Sequence, residues 1–196
     1  MRLFALLLAL SPLRAAELKL PHEFEEPARL ALSAPPEFAA AALLRLVESG
    51  RVQDEQTKRT LLDEAFDLAA HSHFQIAMRA PSSQSDSAAA SLAKAYALHL
   101  DSASLQSRAV LAMLQFNRVR AREMFLSMPQ PELPALTCKD ALVYDVEAFY
   151  RALGAVARSG FSAKERARQD HVSLLLQYAG GVHTAAQVDP MNAAIA

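Results

Sequence analysis

Apolar residues recur three or four positions apart through most of this 196-residue chain. The pattern is clearest in EFAAAALLRLVESG, residues 37–50, which directly follows Pro36. Proline suits the first turn of a helix, an acidic residue there meets the positive end of the helix dipole, and glycine suits the left-handed position after the last turn. We therefore predict a helix over residues 37–50. Its predicted buried stripe is Phe38, Ala41, Ala42, Leu46 and Val47.

The same spacing indicates further helices, with Asp54, Asp101, Asn117 and Ser162 placed to cap their N-termini. The links between them are short, which favours antiparallel neighbours. The chain is 52% hydrophobic, with no tryptophan and five glycines, a composition that favours close-packed helices. We predict an all-α fold of about six to eight helices, arranged as antiparallel hairpins stacked as a short α-solenoid or as an irregular bundle.

The first 16 residues have the pattern of a secretory signal peptide. Arg2 gives a positive start, LFALLLAL (residues 3–10) is an uninterrupted apolar run, and small residues follow at Ala15 and Ala16. The run is shorter than the roughly 20 apolar residues of a transmembrane helix, and no later segment approaches that length. We expect a periplasmic or secreted protein without a transmembrane span. Because the cleavage box is poor, an uncleaved leader acting as an anchor stays an alternative.

Composition shifts suggest the domain organisation. We expect an extended lead-in over residues 17–26 and a helical domain over 27–190, whose serine-rich link near residues 80–90 suggests sub-units 27–80 and 86–183. In MPQPELP, residues 128–134, three prolines exclude a helix and predict a stiff spacer. Residues 184–196 look like the start of a helix without a terminating signal, so one hypothesis is that the chain is part of a longer protein.

Two neighbouring segments, residues 103–116 and 118–128, have apolar residues at helical spacing, and the second contains the sequence RAREMF. This pair resembles the helices of tetratricopeptide-like and related α-solenoid repeat proteins of the bacterial envelope. The resemblance covers about a quarter of the chain. It implies a concave protein-binding surface.

The charge balance argues against nucleic acid as a partner. The formal net charge is −1 and the sequence pI is about 6.6, so no long-range field attracts a polyanion. The densest basic run comprises Lys164, Arg166 and Arg168, with Arg158 just before it. Glu165 and Asp170 are interleaved with it, which is typical of a solvated helix face.

The stretch TCKDALVYD, residues 137–145, contains the only cysteine, Cys138. Thr137 and Asp140 have the spacing of a capping box, so we predict that a helix begins here. We interpret Cys138 as a small buried hydrophobic side chain. A reactive thiol with His171 as its base is the alternative.

Two further groups of side chains have the residue types of catalytic or metal sites. Asp140, Asp145 and Glu147 offer carboxylates for acid and base catalysis, although capping and a solvated face are their more ordinary roles. His71 and His73, with Asp67 or His99, offer ligands for zinc or copper. A histidine pair at a helix end, where the dipole favours positive charge, is the alternative.

We assign no catalytic residue and no cofactor from the sequence. The favoured hypothesis is an exported, non-catalytic helical scaffold that binds another envelope protein. The alternative is an exported enzyme or metal-binding protein that uses His71, His73 and nearby acids. The sequence does not determine the oligomeric state.

Overall fold

The computed structural model describes residues 20–80, 88–137, 140 and 142–196. These residues form ten helices and one pair of short strands, which confirms the all-α class. The elements are α1 (His22–Leu32), α2 (Pro36–Glu48), α3 (Glu55–Ala70), β1 (Ala77–Arg79), α4 (Ala88–Tyr96), α5 (Ser102–Leu114), α6 (Arg118–Ser127), β2 (Val143–Asp145), α7 (Glu147–Ser159), α8 (Ala163–Ala167), α9 (Asp170–Ala179) and α10 (Ala185–Ile195). No helix in this described part combines the length and apolar character that crossing a membrane requires.

Helix α5 lies at the centre of the fold, where α2, α3, α6 and α7 all contact it. Its inward side chains are almost completely buried, among them Leu105, Ala109, Val110 and Met113. A second apolar layer forms where α6, α7 and α9 meet, with the Phe125, Phe149 and Tyr178 ring centroids 5.2–5.7 Å apart. Helices before and after the serine-rich link therefore share one core. The regular stacking of a solenoid stays a prediction.

Local capping chemistry fixes several helix ends as predicted. Asp54 Oδ2 accepts a hydrogen bond from Thr57 N at 2.7 Å, and Asn117 Oδ1 accepts one from Arg120 N at 3.0 Å. Ser162 begins α8 with a complete capping box. Gly50 has φ of +72°, the left-handed conformation expected after α2.

The predicted extended lead-in over residues 17–26 is wrong from His22 onward, because α1 begins there. Phe24 and Ala28 are buried against the core, and this burial favours the helix despite Pro27 in its second turn. The predicted stripe of α2 is wrong at Phe38 and Ala42, which are exposed. Of its other members, Val47 is buried, and Ala41 and Leu46 are partly buried against the core. The most buried positions of the helix are Ala39, Ala40, Leu43 and Leu44.

The helix predicted to begin in TCKDALVYD is a further error. Thr137 N and Oγ1 both donate to Asp140 Oδ2, at 2.5 and 2.9 Å, but none of the described residues from Asp140 to Val146 is helical. Residues 143–145 instead form β2, which pairs antiparallel with β1 so that Met78 faces Tyr144. Val and Tyr favour strand pairing, and α7 begins only at Glu147.

Two other helices differ from their predicted extents. The segment after Ser162 is interrupted at Gln169, whose φ of +63° separates α8 from α9. A left-handed residue cannot continue a right-handed helix. Over residues 184–196 the predicted helix is present as α10, which accommodates Pro190 in its interior.

Asp101 caps α5 from a buried position and generates a pH-dependent prediction. Its Oδ1 accepts a hydrogen bond from Ser104 N at 2.9 Å, whereas its buried Oδ2 has no partner among the described residues. Burial raises the pKa of Asp101, and the hydrogen bonds from Ser104 oppose this rise. The folded state therefore binds a proton more tightly than the unfolded state, and ionisation destabilises the fold as pH rises through the raised pKa.

We expect Asp101→Asn, which keeps a capping oxygen, to raise Tm at pH 7 by about 2–4 °C, or ~1 kcal/mol. Thermal unfolding should show this gain shrinking as pH falls toward the ordinary aspartate value of 3.8. Asp54→Asn is the matched control, because hydrogen bonds from Thr57 lower the pKa of Asp54 and its charge stabilises the fold at neutral pH. Asp54→Asn should lower Tm at pH 7. A fall in Tm at pH 7 for Asp101→Asn would contradict the prediction.

Candidate functional site

The described part of the chain contains a cleft of about 710 Å³ that we call the glutamine cleft. It lies between the first turns of α5, residues 128–133, and the loop and first turn that lead into α10. Residues 75 and 76 complete it. Four of its lining side chains are glutamines: Gln75, Gln106, Gln130 and Gln187. A glutamine side chain offers both a donor and an acceptor, so the cleft can make hydrogen bonds of both kinds without charge.

One wall of the cleft belongs to what we call the proline segment, residues 128–136. Pro129, Pro131 and Pro134 have no N–H group, so the sequence forbids helix and discourages strand pairing here. Met128 and Pro131 are buried and attach the segment to the protein. The backbone of residues 129–136 makes no hydrogen bond to another described residue. The wall therefore presents unpaired backbone groups.

The cleft floor is the start of α5, which is tied to the stretch before β1. Ser102 N donates to Phe74 O at 2.8 Å, and Ala103 N donates to Gln75 O at 3.0 Å. Ser72 adds a bond from its hydroxyl to Leu100 O at 2.6 Å. These bonds use the backbone donors that the start of a helix normally leaves free. They also hold Gln75 at the rim of the cleft.

Gln106 lies in the floor and is only 3% exposed. Its Oε1 accepts a hydrogen bond from Ser102 Oγ at 3.3 Å. Its Nε2 donates to no residue in the described part of the chain. This nitrogen is not among the buried unpartnered atoms of the described residues, so it keeps contact with solvent and can donate to water in the cleft.

Gln187, by contrast, is 2% exposed and fully bonded. Its Oε1 accepts from His183 N at 2.9 Å and from Thr184 N at 3.1 Å. Its Nε2 donates to Tyr150 OH at 3.2 Å and to Gly181 O at 3.4 Å. Burial raises the pKa of Tyr150, with the Gln187 bond opposing it. Gln187 therefore fixes the loop before α10 against α7.

Gln130 crosses the cleft mouth and rests on Gly181. A Cβ atom built on Gly181 would lie 1.8 Å from Gln130 Nε2, so any other residue at position 181 would require the Gln130 side chain to move. A second groove of about 630 Å³ is lined by Arg79, residues 134–136, Val143, Tyr144 and the first residues of α10, and it shares Thr184 with the cleft. The proline segment borders both depressions.

The residues predicted as metal ligands do not converge. The described residues contain no group of three or more His, Cys, Asp or Glu side chains placed to hold a metal ion. His71 Nδ1 donates to Asp67 O at 2.9 Å, one turn back in the same helix. The ring of His73 meets Phe74 edge-on, with centroids 4.7 Å apart. His99, in the loop before α5, has φ of +50°.

The other predicted site residues are also dispersed. Cys138 lies outside the described residues. The buried His171 Nδ1 has no partner among the described residues, and the ring lies 6.3 Å from that of Phe161. Asp140 is bonded to Thr137, whereas Asp145 Oδ1 accepts from Glu147 N at 3.2 Å.

The basic run lies on α8 and beside it. Lys164, Arg166 and Arg168 are exposed, and Arg168 pairs with Asp170 at 2.8 Å. Arg158 Nη1 donates to Ala194 O at 3.4 Å. Glu165 instead bonds to Ser162 and Arg122, and hydrogen bonds from the Ser162 backbone and side chain and then from Arg122 lower its pKa to about 2. The solvated face predicted for this run is what the structure contains.

Sequence reasoning missed the glutamine cleft, although two signals for it are present. Gln106 interrupts the apolar face of α5 at a position where the helical period calls for a hydrophobic residue. Thr184 and Gln187 have the spacing of a capping box, which marks the start of α10.

Comparison of the chain with protein-family models, with curated proteins and with solved structures found no match.

We expect Gln187→Leu to lower the free energy of unfolding by about 1–3 kcal/mol, because it leaves several polar groups without a partner. Tyr150→Phe removes one acceptor and should cost about 0.5–1.5 kcal/mol. Urea unfolding measures both. Gln177→Leu, on the exposed face of α9, is the control and should stay within about 0.5 kcal/mol of the wild type. Equal effects of Gln187→Leu and Gln177→Leu would refute the role of the buried amide.

Proposed function

We propose that the protein is an exported, non-catalytic helical scaffold that binds an extended segment of another envelope protein in the glutamine cleft. The observation that carries this proposal is the proline segment, an irregular stretch with unpaired backbone groups beside an open cleft. Recognition of extended peptides commonly uses main-chain hydrogen bonds for affinity and side-chain pockets for specificity. The cleft offers both.

The chemistry of the lining also supports an uncharged polypeptide as the ligand. The lining residues include no Lys or Arg, and Glu132 is their only acid. Amide and hydroxyl groups from Gln75, Gln130 and Thr184 match the alternating donors and acceptors of a peptide backbone. Apolar contacts are available from Ile76 and Leu133. The groove beside β2 lengthens the surface available to an extended segment.

Selection from a displayed library of random peptides, each about 12 residues and ~40 Å long when extended, tests this proposal. Gln130→Trp should fill the cleft mouth beside Gly181 and weaken binding of the selected peptides at least tenfold. Gln177→Trp is the matched control, since Gln177 is also an exposed glutamine but lies on α9 away from the cleft. Isothermal titration calorimetry with the full chain measures both variants.

Two results would count against a peptide-binding cleft. One is a library that yields no peptide retained by the wild-type chain. The other is a set of peptides that bind Gln130→Trp and Gln177→Trp equally well, which would place their site elsewhere. Circular dichroism of both variants would check that each keeps its helical content.

Export is the second part of the proposal, and it is supported by the apolar run at residues 3–10. Residues 1–26 can be fused to a phosphatase reporter that is active only after its disulfides form in an oxidising compartment. We expect high reporter activity from this fusion and loss of most of it when Leu6 and Leu7 are both changed to Arg. Activity no higher than that of a leaderless reporter would show that this segment does not direct export.

A further inference from the structure

A groove of about 440 Å³ lies between α9, the last turn of α7 and the end of α10, and we call it the arginine groove. It shares no lining residue with the glutamine cleft. Of the ten described residues that line it, seven are apolar, and the other three are Arg158, Arg166 and His171. A mostly apolar lining with a few polar groups is typical of small-molecule sites.

The packing of α10 leaves the apolar side of this groove open. Helix α10 lies mainly along α7 and meets α9 at few points. At Gly154 of α7 the two helices nearly touch, since an added Cβ atom would lie 2.9 Å from the backbone of Ala194. Leu176 of α9 therefore stays 67% exposed, and Ile195, which lines the same groove, is 57% exposed. Exposed apolar side chains that cluster in this way mark a binding surface.

The arginines give the groove a positive charge that neighbouring acids do not neutralise. Glu165 and Asp170, the only acids of α8 and α9, are each bound to an arginine outside the groove. Neither Arg158 nor Arg166 pairs with a carboxylate in the described part of the chain. His171 adds no negative charge, because an imidazole is either neutral or positive. The lining is thus complementary to an anion.

The charged and apolar parts of the groove follow one another along α9. The ring of Phe161, just after α7, lies 6.3 Å from the ring of His171 in the first turn of α9. Arg158 in the last turn of α7 and Arg166 just before α9 therefore belong to the end of the groove where α9 starts. The apolar lining continues along α9 to Ala179, about 12 Å further at the rise of an α-helix.

We propose that the arginine groove binds a free single-chain amphiphile with an anionic head group, of which a fatty acid of about ten carbons is the simplest example. The head group binds at Arg158 and Arg166 through charge-assisted hydrogen bonds. The alkyl chain lies along Leu175 and Leu176 toward Ala179. A zigzag of C–C bonds advances about 1.25 Å per carbon, so about ten carbons match the ~12 Å of apolar lining. This site is separate from the proposed peptide cleft and does not depend on it.

The size of the groove favours this occupant over a membrane or a protein. Its volume is near the lower end of the roughly 300–1,000 Å³ of small-molecule sites, which suits one alkyl chain and not the two long chains of a phospholipid. A standard protein interface covers about 800 Å² on each partner, far more than a groove ~12 Å long provides.

Isothermal titration calorimetry of the full chain with sodium decanoate, kept below its critical micelle concentration, tests the site. We expect saturable binding of one decanoate per chain. Butyrate has the same head group and six fewer methylenes, so it should bind at least a hundredfold more weakly. Decyltrimethylammonium has a ten-carbon chain and a positive head group, and it should bind at least tenfold more weakly.

Three results of these titrations would overturn the proposal. One is the absence of decanoate binding, and another is equal affinity for decanoate and decyltrimethylammonium. The third is retention of the chain by vesicles of anionic phospholipid without any binding of free decanoate, which would identify a membrane surface instead.

Variants locate the bound decanoate. Leu176→Glu places an acid on the apolar wall and should weaken binding at least tenfold, whereas Leu126→Glu, at an exposed leucine of α6 outside the groove, should not. Arg166→Gln should weaken binding about two- to fivefold, because the guanidinium is exposed. Lys164→Gln, in the same basic run but outside the lining, is its control and should leave the affinity unchanged.

All four substituted side chains are exposed, so each variant should keep its fold, and circular dichroism checks this. Equal affinities of the two glutamate variants, or of the two glutamine variants, would place decanoate elsewhere and overturn the assignment of the groove.

Discussion

The burial of α5 is the constraint on which the rest of the described structure depends. Four helices contact it, and its inward residues, including Leu105 and Met113, are almost inaccessible to solvent. Because α5 begins inside the protein, the N–H groups of its first turn need hydrogen-bond partners there. An unpaired buried N–H group costs free energy. Asp101 and the carbonyls of Phe74 and Gln75 meet that need. The same bonds place residues 72–76 across the start of α5 and so position both β1 and the cleft floor.

Two buried glutamines in the same cleft show how polar groups serve different purposes. Gln187 has a partner for its oxygen and its nitrogen, and it fixes the loop before α10 against Tyr150. Gln106 has a partner only for its oxygen. A fully satisfied buried network gives rigidity. The Gln106 nitrogen instead keeps contact with solvent, so water can serve as its acceptor.

Features that depend on neighbours in the chain could be predicted from the sequence, and features that depend on tertiary contacts could not. The caps at Asp54 and Asn117 and the left-handed Gly50 follow from local rules and are confirmed. The buried face of α2 depends on tertiary packing, and so does the strand at residues 143–145 that stands in place of the predicted helix. The Thr137–Asp140 spacing predicts a hydrogen-bonded pair, which is present, but the helix predicted after it is wrong, because nothing local reveals that residues 143–145 pair with β1. The cleft is still harder to predict, since its walls come from segments around residues 75, 105, 130 and 185.

The position of the proline segment connects the fold to the proposed binding role. Met128 and Pro131 are buried, so these two residues attach the segment beside the cleft. Its prolines prevent it from closing its own backbone hydrogen bonds into a helix or a regular strand. Across the cleft, the Gln130 side chain lies against Gly181. The network around Gln187 keeps Gly181 in place. The proline segment is anchored by its buried residues, and its backbone groups have no partner among the described residues. An anchored segment loses less conformational entropy when an extended partner binds, which reduces the cost of binding.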